Sequence, residues 1–136
     1  MTYPKASEPT KVGDYPALVK SGGGYVWDEV LEYRVWVHPE LGGDDLYDGD
    51  DYFYAFDSYE KASTFADDTI GAEPPLVLIL QKEFIDEPSF GQYVLVKEIR
   101  LTEWSVDWLS RQRRNPDTIA NFFENPNPDR IYLLRE

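Results

Sequence analysis

The residues best equipped for chemistry cluster between positions 31 and 62. His38 is the only histidine. Its ordinary pKa of about 6.5 suits general acid–base work near neutrality, and it stands at the end of an alternating run, just before Pro39-Glu40. The competing reading is a strand-end histidine held by a local hydrogen bond. Arg34, four residues upstream, could grip a carboxylate or phosphate through its planar fork or stack on an aromatic ring. A structural ion pair with Glu32, or with an acid on a neighbouring strand, is the plainer alternative.

Downstream lies the acidic loop Gly42-Gly43-Asp44-Asp45-Leu46-Tyr47-Asp48-Gly49-Asp50-Asp51. Calcium takes several oxygen ligands. On EF-hand spacing, with Gly49 at the sixth position, Asp44 and Asp48 occupy ligand places but so do Leu46 and Ala55. The expectation is a solvated turn between two strands, with no metal. Glu83, Asp86 and Glu87 form a second acidic group. Paired carboxylates can share acid–base work when their pKa values are pushed apart, so Glu83 and Glu87 join His38 as catalytic candidates, against the alternative of a polar turn. Arg111, Arg113 and Arg114 are the only basic cluster and are expected to dock the protein's own acids. The chain has no Walker loop, dinucleotide fingerprint, G-x-S-x-G elbow or H-E-x-x-H pair.

These residues need elements to position them. Residues 31–38 alternate, with Leu31, Tyr33, Val35 and Val37 on one face and Glu32, Arg34, Trp36 and His38 on the other, which predicts a half-buried strand. Residues 52–56 predict a second, aromatic strand. Asp57 as N-cap and Glu60 as the capping-box acid predict a helix that presents Tyr59, Ala62, Phe65 and Ala66 inward and stops at Gly71. Residues 76–84 read as a strand covered on both faces, 86–91 as a turn, and 93–99 as its antiparallel partner. Residues 102–109 favour a strand. Asn115-Pro116-Asp117 predicts a helix start, with Ile119, Phe122 and Phe123 packing inward and Asn125-Pro126-Asn127-Pro128 ending it. Residues 131–134 predict a short closing element. Residues 14–20 could form a short helix before Ser21-Gly22-Gly23-Gly24 breaks the chain.

The sum is an α+β fold: a single compact domain at 25–136, with a mostly antiparallel sheet of about five strands and two or three helices, and an arm at 1–24 packed on it. Ten Tyr, seven Phe and four Trp supply a core. The absence of cysteine excludes disulfides and thiolate chemistry and fits a cytoplasmic setting; no signal pattern or membrane-length apolar run is visible. The net charge of −13 argues against nucleic acid and anionic membranes as partners; a basic protein partner or mimicry of nucleic acid is the sharper reading of it, and an ordinary acidic cytosolic protein the plainer one.

The phrases Gly24-Tyr25-Val26-Trp27-Asp28-Glu29-Val30-Leu31-Glu32-Tyr33-Arg34-Val35-Trp36 and Asp50-Asp51-Tyr52-Phe53-Tyr54-Ala55-Phe56 resemble a family of small bacterial proteins, as do Thr102-Glu103-Trp104 and Asn115-Pro116-Asp117-Thr118-Ile119. Its members are often labelled GNAT-type N-acetyltransferases, which implies acetyl-CoA as cofactor. The R/Q-x-x-G-x-G/A pyrophosphate turn of such enzymes has no counterpart here, so no acetyltransferase residue carries over. A looser similarity links the Tyr33-Arg34 strand, residues 52–56 and the helix from Ser58 to ADP-ribosyltransferase-like domains. That similarity implies that Arg34 contacts NAD, Ser58 supports the site and Glu83 or Glu87 is the catalytic acid. The leading expectation remains a non-catalytic binding domain using the aromatic and acidic face of residues 33–57, with Arg34, Trp36, Tyr52, Tyr54 and Ser58 as binding residues. Whether the chain is catalytic, and with which cofactor, stays open at this level.

Overall fold

The computed structural model describes residues 2–126. In chain order the elements are β1 (Lys20–Ser21), β2 (Glu29–Val37), β3 (Tyr52–Phe56), α1 (Tyr59–Asp67), β4 (Leu76–Gln81), β5 (Phe84–Ser89), β6 (Gln92–Val96), β7 (Arg100–Ser105) and α2 (Thr118–Glu124). Short 3-10 turns occur at Pro9–Lys11, Pro39–Leu41 and Val106–Ser110. The class is α+β, as expected: β1, β2, β3, β4 and β7 belong to a mostly antiparallel sheet, and β5 and β6 form a second. By contact the chain divides into two compact units, residues 2–18 with 30–78 and residues 19–29 with 79–126. The closing element expected at 131–134 lies outside the described residues.

In the first unit, β2 is buried on both faces rather than one. Tyr33, Val35 and Val37 are at most 1% exposed, and so are Glu32 and Arg34 on the opposite face. The polar face tolerates this because it is fully paired. Arg34 Nε donates to Glu32 Oε2 at 2.7 Å, and Gly13 N donates to Glu32 Oε1 at 2.8 Å. The Arg34 terminal nitrogens reach Pro16 O at 2.7 Å and Ala17 O at 3.3 Å. Those contacts also explain why no helix forms at 14–20. The carbonyls that a helix would use internally accept from Arg34 instead.

Strand β3 spans the residues expected of it and pairs antiparallel with β2, Val37 opposite Tyr52 and Tyr33 opposite Phe56. Helix α1 follows, but its N-cap is Ser58, whose hydroxyl accepts from Lys61 N at 3.3 Å. The expected cap, Asp57, instead forms an ion pair with Lys61 at 3.0 Å. A hydroxyl one residue later satisfies the same orphan amides. The helix stops at Asp67 with Asp68 as C-cap, so Gly71 has a different task. At φ +86 it carries the chain back past residue 38, and a Cβ there would lie 2.7 Å from Gly43 Cα and 2.8 Å from His38 O.

In the second unit, β1 runs parallel to β7, Lys20 opposite Thr102. The long strand expected at 76–84 is two strands. It breaks after Gln81 because Lys82 N donates to the buried Asp28 carboxylate at 2.7 Å. The new strand β5 then pairs with β6, Phe84 opposite Val96 and Ser89 opposite Gln92, so most of the expected 86–91 turn is strand. The strand expected at 102–109 ends at Ser105 and continues as the 3-10 turn. Helix α2 begins at Thr118 with Asp117 as N-cap, while Asn115 Oδ1 accepts from Asp117 N at 2.8 Å. Tyr25, Val26, Phe84, Ile85 and Ile119 form the core here, with Phe122 packed against it. Phe123, expected inward, is 39% exposed, because a seven-residue helix gives its core only one narrow stripe.

Candidate functional site

Directly opposed residues of an antiparallel pair share a face, so the β2–β3 register sorts the expected binding residues. Trp36 faces Phe53, with ring centroids 4.9 Å apart, and the Arg34 guanidinium lies 4.4 Å over the same Phe53 ring. Tyr52 and Tyr54 pair with Val37 and Val35 and occupy the other face. The five candidates therefore do not converge. Arg34 is wholly buried and committed to Glu32 and to the 16–17 backbone, and Ser58 is a buried helix cap.

What does converge is the Tyr52–Tyr54 face. Tyr47, Tyr52, Tyr54 and Phe65 form a ring ladder with successive centroid separations of 5.4, 5.9 and 4.8 Å. Tyr52 OH donates to Asp44 O at 2.8 Å, and Gly49 N donates to Asp45 Oδ1 at 2.7 Å, so the acidic loop folds against this ladder. Together with Leu46 and Ile70, the rings of Tyr52, Tyr54 and Phe65 line an open groove of about 390 Å³, with Asp44 and Asp68 among its walls. Leu41, Leu46, Tyr47, Tyr54 and Ile70 are all large, apolar and 42–76% exposed. Tyr52 and Tyr54 are legible in the sequence as binding residues; Leu46, Phe65 and Ile70 are not. The signal was Ile70 alone between polar Thr69 and Gly71, past the end of the helix, with no buried face to serve.

His38 anchors the other end of the acidic loop. Its Nδ1 lies 2.9 Å from Asp51 Oδ1 and its Nε2 2.8 Å from Glu73 Oε1. Burial disfavours its charged form, but the hydrogen bonds and charges of the two carboxylates outweigh that and raise its pKa above 6.5. With both ring nitrogens facing carboxylates, His38 acts as a clamp, not as a free base. Glu40 is near enough to form, with His38 and Asp51, a group of three potential ligand atoms within 4.8 Å; Asp51 already serves the imidazole.

The sign of the titration follows from the raised pKa. The clamp stabilises fully below the unfolded value of about 6.5 and is lost as pH rises through the higher folded value. We expect His38→Gln to lower Tm at pH 5.5 and to converge with the parent protein at alkaline pH, read from melting curves across that range. A Tm difference independent of pH would contradict the clamp.

Glu83 and Glu87 belong to the second unit. Glu83 lies 3.6 Å from Arg114, which also donates to Asp28 at 2.7 Å. Glu87 accepts from Tyr25 OH and from Gly91 N. Of the basic cluster, Arg114 does dock the protein's own acids. Arg113 Nε donates to the Asp28 carbonyl at 2.8 Å, and Arg111 sits among aromatic rings.

The fold and this geometry define an α+β protein with an acidic, aromatic groove. Against known proteins, no family model, curated protein or solved structure matches the chain. No helix among the described residues is long and apolar enough to cross a membrane.

Proposed function

We propose that the protein is a binding module whose first unit captures a basic peptide segment carrying a large apolar side chain. The observation that carries this reading is the groove bounded by Tyr52, Tyr54, Phe65 and Ile70. Aromatic and aliphatic side chains line it together with Asp44 and Asp68. Apolar patches rimmed by polar residues mark binding surfaces. The chain's charge of −13 selects the partner by sign, steers its approach and makes the interaction salt-sensitive. An apolar anchor in the groove would supply the affinity that exposed charge pairs alone do not.

Panning a displayed library of short random peptides against the protein tests this. The expected enrichment is Lys or Arg flanking a Leu, Phe or Trp, with binding that weakens as salt is raised. Enrichment of acidic sequences, or none over a blank support, would overturn the reading. Ile70→Ser removes an anchor that is 76% exposed, so it should weaken an enriched peptide about tenfold, the scale of one lost apolar contact, without moving Tm. Unchanged affinity in that variant would place the binding elsewhere.

A further inference from the structure

A separate cavity lies wholly within the second unit and is chemically unlike the rest of this acidic chain. It encloses about 380 Å³ and is walled by the glycine run ahead of Tyr25, the start of β5, Trp108 and two arginines, Arg100 and Arg111. That volume falls within the usual range of small-molecule sites, ~300–1,000 Å³.

Arg100 is held in place by neutral groups. Arg100 stacks on Phe84 with its guanidinium carbon 3.8 Å from the ring centroid, and its Nε donates to Gln81 Oε1 at 2.9 Å. Gln81 is itself fully buried and fixed by donating to Gly23 O at 3.0 Å and Val26 O at 2.8 Å. Arg111, 7% exposed, lies 4.6 Å from the Trp108 ring, 5.1 Å from Tyr25 and 5.4 Å from Trp104. Among the described residues no carboxylate oxygen comes within ion-pair distance of Arg100, although acids outnumber basic residues 26 to 13 in the chain. Burial accordingly lowers the Arg100 pKa, with Asp86 opposing from a distance.

Beside these cations the wall at Gly24 favours glycine. A Cβ on Gly24 would lie 2.5 Å from Gln81 Nε2 and 3.0 Å from an Arg100 terminal nitrogen, and one on Gly23 would lie 3.3 Å from Arg111. Gly24 and Tyr25 both have positive φ, +89 and +63, and for a tyrosine that conformation is strained. The chain thus keeps backbone close to two guanidinium groups at a conformational cost.

We propose that this cavity binds a small molecule bearing a single oxyanion, a carboxylate or a phosphate monoester, on a flat apolar body. Arg100 and Arg111 hold the anion, for which the guanidinium fork is matched in charge and geometry. The body lies against the Trp108 and Phe84 rings. Asp86 and Glu87 also line the cavity, and their charge disfavours polyanions such as nucleoside triphosphates.

Benzoate and phenyl phosphate are the two probes, with ATP as the polyanion control, each titrated to millimolar concentration into the full chain. Trp108 indole and arginine Nε resonances report binding. Saturable shifts with benzoate assign a carboxylate site, and shifts with phenyl phosphate a phosphate site. Arg100→Gln, whose fold is checked by circular dichroism, is expected to weaken the bound probe at least tenfold. Trp108→Phe keeps a flat ring and is expected to retain binding. No saturable shift with either probe, equal binding of ATP, or binding that survives Arg100→Gln would each overturn the proposal.

Discussion

Replacing Arg34 with Ala is expected to destabilise the protein by about 3–5 kcal/mol, the usual cost of stripping one partner from a buried ion pair. Tm should fall by ~10 °C or more for a chain of this size. The reason is local. Glu32 and Arg34 are both wholly buried, and removing the guanidinium leaves the Glu32 carboxylate desolvated, with the Gly13 amide to hydrogen-bond it. The Pro16 and Ala17 carbonyls also lose their donor, which should loosen residues 13–18. Glu32→Ala should cost a similar amount. The double variant Glu32→Leu, Arg34→Met should cost much less than the sum, because buried pairs are often replaceable by apolar residues of like volume. Chemical denaturation of the four proteins checks this. Additive losses would show that the pair does not act as a unit.

The second large effect is expected at Gly71. Gly71→Ala combines two penalties. The positive φ of +86 is disfavoured for any residue with a Cβ, and the added methyl would press on backbone atoms of Gly43 and His38. A flexible side chain could give way, but backbone cannot do so cheaply. The expected loss is at least about 2 kcal/mol. Because His38 N donates to Gly71 O at 2.9 Å, the same variant should disturb the clamp on the acidic loop, so His38 resonances should shift. Gly49 has positive φ as well but open space around it, so Gly49→Ala should cost less. Equal Tm for Gly71→Ala and Gly49→Ala would contradict the close approach at Gly71.

Both effects show what the sequence could and could not reveal. The aromatic run at 52–56 and the polar punctuation around 57–60 and 115–117 were legible because propensity and capping act over a few residues. The split of the apolar run after Gln81 was not. It depends on Asp28, which lies 54 positions away along the chain and accepts from Lys82 N. Alternation in β2 assigned its faces correctly but not their burial, since Glu32 and Arg34 look solvent-facing until the 13–18 segment covers them. At the candidate site the same divide holds. Tyr52 and Tyr54 stood out by type and spacing, whereas Phe65 and Ile70 joined them through packing of α1 and the following turn. Arg111 looked like one of a basic cluster, and only tertiary structure sets it beside Arg100 and the glycine run.

On the proposed function, the Tyr52–Tyr54 groove, with Asp44 and Asp68 in its lining, is the surface that takes a basic partner. The most direct measurement is a two-dimensional NMR titration of the labelled protein with a panned basic peptide. The expected shifts concentrate at Leu46, Tyr52, Tyr54, Phe65 and Ile70 and shrink as salt is raised. Shifts confined to other residues, or spread evenly over the acidic surface and insensitive to Ile70→Ser, would contradict it.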